Sequence, residues 1–147
     1  MRRLASTLAL AFCLGTAQAE IVNVDSAELA RLQAEGIPIV DIRTAGEWAE
    51  SGIVPGAHLL TFFDERGQAE PEAFLARLKA IAGPDKPVAV ICRSGNRTRI
   101  VSRFLSEQAG YATVYNAKGG MRDWQASRQS VVDATTAAST CAQASHC

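Results

Sequence analysis

Histidine is scarce in this sequence, its one long hydrophobic run lies at its start, and neither sign of charge is in excess. Each shortage excludes something. Only His58 and His146 occur among the 147 residues, too few for a histidine-rich metal centre. They also leave few candidates for the base that often accompanies a nucleophilic thiol, and His58, just after a Pro-Gly-Ala turn, reads as a surface or satisfied structural residue. Fifteen basic residues balance fifteen acidic ones, so no overall field draws in nucleic acid or anionic lipid. Beyond Leu14 no segment is apolar enough to span a bilayer, and no internal repeat is visible.

What is present begins with a leader. Arg2 and Arg3 precede an apolar stretch from Leu4 to Leu14, and Ala17-Gln18-Ala19 has the small-x-small form of a cleavage site. Residues 1–19 therefore read as a signal peptide, with Glu20 starting the mature chain in the periplasm or outside the cell. Phe12, before Cys13, is too bulky for a lipoprotein signal. The remainder is one domain's worth of chain, expected over 20–127. From 128 to 147 the composition turns to Ser, Thr, Ala and Gln, which predicts a flexible tail.

Strand and helix signals alternate between these limits, which predicts an α/β domain around a mainly parallel sheet. Strands are expected over 21–24, 37–42, 57–60, 88–91 and 113–115. Asp25 with Glu28 has the spacing of a helix-capping box. Pro71 and Gly83-Pro84 bracket a helix with Phe74, Leu75, Leu78 and Ile81 on one face. Further helices are expected over 45–51, 98–109 and 121–126.

The stretch richest in chemistry is Cys92-Arg93-Ser94-Gly95-Asn96-Arg97-Thr98, set between an apolar strand and a helix. A free thiol has a pKa of about 8.5 and is about 3% thiolate at neutral pH. Loop amides, a helix start and nearby arginines favour the anionic, nucleophilic form. Cys141 and Cys147 also follow the leader, leaving an odd count. The simplest allocation keeps Cys92 free and either pairs Cys141 with Cys147 as a disulfide or leaves both as thiols. A metal site of Cys141, His146 and Cys147 lacks a fourth ligand and the usual spacing.

The loop resembles the active-site loop of rhodanese-like sulfurtransferases, and the resemblance extends along the chain. Ile39-Val40-Asp41-Ile42-Arg43 with Glu47-Trp48 is similar to the family's D-V-R … E-[YWF] segment. Ile53-Val54-Pro55-Gly56-Ala57 resembles its I-P-G-A turn, and Val114-Tyr115-Asn116 with Gly119-Gly120-Met121-Arg122-Asp123-Trp124 its closing segment. One departure is Ser51-Gly52, where the family often has Gly-His. The resemblance implies a three-layer fold, a mainly parallel sheet flanked by helices. It also implies a catalytic Cys92 that takes a sulfane sulfur from an anionic donor such as thiosulfate and passes it to cyanide, a thiol or a thiol protein. The backbone of Arg93, Ser94, Gly95, Asn96, Arg97 and Thr98 would cradle the sulfur, with Arg93 and Arg97 steering the donor. No cofactor or resident metal is implied, nor any nucleic-acid or stable membrane partner, and the chain is expected to be a monomer. Asp41, Arg43, Trp48 and Trp124 read as architectural.

Two other classes compete. Phosphatases of similar fold use Cys-x5-Arg, whereas Thr98 stands at that position and Arg97 gives the shorter Cys-x4-Arg. A non-enzymatic persulfide carrier, or a thiol redox protein using the tail cysteines, would use the same loop without turnover of thiosulfate.

Overall fold

The computed structural model describes residues 19–135. The expected leader lies almost wholly outside them, and so do Cys141, His146 and Cys147. Five strands form one sheet: β1 (Glu20–Val24), β2 (Ile39–Asp41), β3 (His58–Leu59), β4 (Val88–Ile91) and β5 (Thr113–Ala117). Their order is β1-β5-β4-β2-β3, and every pairing is parallel. Helices α1 (Ser26–Ala34), α2 (Ala45–Ser51), α3 (Pro71–Ile81) and α4 (Asn96–Arg103) occupy the four connections, and α5 (Gly120–Ala126) follows β5.

A parallel sheet covered on both faces needs strands that are apolar on both sides, because successive side chains alternate across it. β4 meets that demand with Val88, Ala89, Val90 and Ile91, all fully buried. Val88 and Val90 join Phe74, Leu78, Val101 and Leu105 on one face. Ala89 and Ile91 join Leu29, Leu32, Met121 and Trp124 on the other. The sheet is thus the middle of three layers, with α3 and α4 on one side and α1 and α5 on the other.

Local signals explain the helix starts. Asp25 accepts from the Glu28 amide at 2.9 Å while Glu28 accepts from the Asp25 amide at 3.1 Å, the reciprocal cap expected of that spacing. Thr44 and Glu47 form a second such box on α2. The helix expected over 98–109 differs: α4 begins at Asn96, and after Arg103 the chain widens into one π-helical turn, Phe104–Gln108.

Beyond α5 the chain stays attached past the boundary expected at 127. The Trp124 indole N–H donates to the Ser130 carbonyl at 2.8 Å, and Val132 pairs with Ile53 through hydrogen bonds of 2.9 and 3.0 Å. Composition gives no hint of this because these contacts run mainly through backbone groups.

Candidate functional site

Cys92 follows directly on β4, the middle strand, at the carboxyl end of the sheet, where open α/β domains commonly place their sites. Its side chain is only 1% exposed. The Gly95 amide donates to Sγ at 3.2 Å. The thiol donates to Thr98 Oγ1 at 3.8 Å, and that buried hydroxyl donates in turn to the Gly95 carbonyl at 3.0 Å. One residue thus both contacts the sulfur and braces the loop.

The first two carbonyls of the loop are bonded away from the sulfur. The Met121 amide donates to the Cys92 carbonyl at 2.8 Å, and the Arg122 amide to the Arg93 carbonyl at 3.1 Å. Both donors come from the first turn of α5, whose free N–H groups need acceptors. Such close contact requires glycine at two positions. Gly120 (φ +59°) lies against the Cys92 and Arg93 backbone, and Gly95 (φ +88°) against the Lys118 carbonyl. A Cβ at either would overlap those atoms, besides straining a left-handed backbone.

Among the expected loop residues, Cys92, Gly95 and Thr98 converge on the sulfur. Ser94 is half-buried, and Arg93 and Asn96 are exposed. Arg97, expected to steer the donor, is half-buried and paired within the protein. Its guanidinium forms a fork on Glu47, at 2.7 Å from Nη1 to Oε2 and 2.5 Å from Nη2 to Oε1. Glu47 holds it there, so its charge is largely met within the protein.

This pair shapes the electrostatics beside Cys92. The Arg97 hydrogen bonds lower the Glu47 carboxyl to about 2, against a burial penalty that pushes it up. Arg97 is raised, first by its hydrogen bond to Glu47 and also by Cys92. Glu47 carries a second duty, since Oε2 accepts from the Thr44 amide at the start of α2.

Arg43 fixes the other end of α2. Fully buried, it pairs with Asp41 at 2.6 Å and donates to the carbonyls of Glu47 and Gly52 and to the Ser51 hydroxyl. Its donors are consumed by architecture, as expected for this segment. Burial lowers the pKa of His58; that residue sits in β3 at the sheet edge. Among the described residues no group of three or more His, Cys, Asp or Glu side chains could hold a metal ion. No described helix is long and apolar enough to cross a membrane.

A half-open pocket of about 160 Å3 lies between α2, α5 and the loop. Arg122 lines it beside Arg93. Sequence reasoning assigned no role to Arg122 or Glu47; position within a family segment was the only signal, and it did not reveal their partners.

A parallel α/β domain that buries a thiol at the end of its middle strand, under a backbone amide of the following loop and near a buttressed arginine, is a cysteine-loop domain. Comparison with known proteins gives the particular family: residues 25–127 match the Rhodanese-like domain family, and the chain belongs to it. It is 29% identical over 107 residues to "Thiosulfate sulfurtransferase GlpE" of Pseudomonas savastanoi pv. phaseolicola, covering 73% of this chain and 90% of that protein. It is 32% identical over 104 residues to "Sulfurtransferase" of Allochromatium vinosum, covering 69% and 86%. Among solved structures, a rhodanese-like domain protein from Staphylococcus aureus matches with a TM-score of 0.55 and 26% identity, over 70% of this chain and 90% of the other. At the level of the family, the chain is a rhodanese-type sulfurtransferase.

Proposed function

We propose that this protein transfers a sulfane sulfur from a thiosulfate-like donor to a nucleophilic acceptor, with Cys92 carrying the sulfur as a persulfide. The observation that carries this reading is the Gly95 amide 3.2 Å from Sγ, in a loop whose first two carbonyls are turned away to α5. A donor fixed in this way favours an anionic sulfur without reorganisation. In the first step the Cys92 thiolate attacks the outer sulfur of thiosulfate. The new S–S bond forms as the sulfur–sulfur bond of the donor breaks, and sulfite leaves with the electron pair. In the second step cyanide or a thiolate attacks the outer sulfur, and the electron pair returns to Sγ. No external oxidant or reductant is needed. Thr98 can redirect its hydroxyl proton from the Gly95 carbonyl to the anionic sulfur, which supplies a second donor. Having Thr98 where Cys-x5-Arg phosphatases carry arginine also favours sulfur over phosphate chemistry.

The test combines turnover of thiosulfate and cyanide with intact-mass measurement. Incubation with thiosulfate should add about 32 Da, one sulfur, to the Cys92 peptide. Cys92→Ser should lose both the added mass and turnover. Loading without turnover would leave a carrier; activity retained in Cys92→Ser would remove the assignment.

A further inference from the structure

The pocket beside the loop carries charges of both signs. Arg93, the residue after Cys92, and Arg122, in the first turn of α5, contribute cations to its lining. Glu47 and Glu50, on α2, contribute carboxylates. Glu47 is already engaged by Arg97 and by the Thr44 amide. Among the described residues, Arg93, Arg122 and Glu50 form no ion pair. The pocket therefore offers two uncommitted cations and one uncommitted anion. Its walls are tied together, because the Gln125 side chain on α5 donates to the Ser51 carbonyl on α2 at 3.0 Å.

Size and charge together select a ligand. At about 160 Å3 the pocket is smaller than the roughly 300 Å3 at which drug-sized sites begin. A dianion such as thiosulfate would meet Glu50 on the far wall. A small molecule carrying both a carboxylate and an ammonium group would match both walls. Because Arg93, which lines the pocket, directly follows Cys92, and the Cys92 carbonyl is bonded to the amide of Met121, another lining residue, the reactive end of such a ligand would lie towards the loop.

We infer that the pocket between α2 and α5 is an acceptor subsite for a zwitterionic thiol of amino-acid size, its carboxylate held by Arg93 and Arg122 and its ammonium by Glu50. The inference rests on the persulfide reading above. The acceptor thiolate bonds to the outer sulfur, the bond between that sulfur and Sγ breaks, and Sγ takes up the proton that the acceptor thiol released. The products are the acceptor persulfide and free Cys92.

The experiment loads the full-length protein with thiosulfate, removes the donor, and follows single-turnover loss of the added sulfur by mass. Three acceptors are compared, each rate corrected for its thiolate fraction: free cysteine, cysteamine with the ammonium alone, and 3-mercaptopropionate with the carboxylate alone. Arg122→Ala should lower the cysteine and mercaptopropionate rates relative to cysteamine by about tenfold, the size of one charge-assisted contact. Glu50→Gln should lower cysteine and cysteamine relative to mercaptopropionate, by several-fold. Unchanged ratios in both variants, with loading intact, would overturn the subsite and leave the persulfide reading standing. A protein that never gains the sulfur would fail the persulfide reading instead. S-methylcysteine, which cannot react, then decides the subsite on the unloaded protein. Saturable binding weakened by Arg122→Ala supports it, and the absence of binding overturns it.

Discussion

At the residue scale the decisive contact is the fork between Arg97 and Glu47. A partly buried, bidentate pair is worth about 1 kcal/mol once solvent screening is allowed for. Arg97→Ala should therefore lower the melting temperature by about 4 °C, as well as reducing kcat/KM for thiosulfate. A variant that loses efficiency with an unchanged melting curve would mean that the pair contributes nothing to the fold. The pH dependence has a definite sign. Glu47 ionises at about 2 in the folded chain, against an ordinary value of 4.5. Its pair is thus fully stabilising above pH 4.5 and is lost as pH falls towards 2. The melting temperatures of the parent and Glu47→Gln should differ by a constant amount near neutrality and converge between those two values. Gly95 allows a sharper test. Its positive φ and its contact with the Lys118 carbonyl mean that Gly95→Ala costs more than the roughly 1 kcal/mol that backbone strain alone imposes. Thermal melting should show that loss, together with faster alkylation of Cys92 as the loop opens.

At the element scale, most of the architecture was legible because each segment carries its own signal. The apolar run of β4, the Asp25–Glu28 cap and the Pro71 helix start depend on neighbours in sequence. The π-helical turn at Phe104–Gln108 was not legible, since a single wider turn leaves no mark on apolar spacing. The site divided along the same line. Cys92 and its loop could be read directly, whereas Arg97 finds its partner fifty positions away in Glu47, and no local pattern carries that distance. The segment after α5 shows the same limit. Val132 joins the fold through a backbone bridge to Ile53, and polar composition hides it. A chain ending at Ala134 should melt like the full-length protein. One ending at Ser127 should melt several degrees lower, because it strips the bridge and the Trp124 partner. Equal melting of the two would show that the bridge adds no stability.

At the scale of the whole molecule, we propose that the chain is exported, and the sequence outside the described residues then gives two expectations. Amino-terminal sequencing should begin at Glu20, where β1 also begins. Non-reducing peptide mapping should find Cys141 joined to Cys147 and Cys92 open to alkylation under denaturing conditions. A disulfide between Cys92 and either tail cysteine would instead indicate a redox-regulated protein. The strand order bears on how the chain folds. Among the described residues β1 has β5 as its sole neighbour in the sheet, and Asn23 and Asn116, bonded across that pair, stand 93 positions apart. The first strand in sequence must therefore wait for the last, and closing so long a loop is slow. Until then β5 has no strand on its outer edge and β1 none at all, so the sheet stays open on that side until its two most distant strands meet.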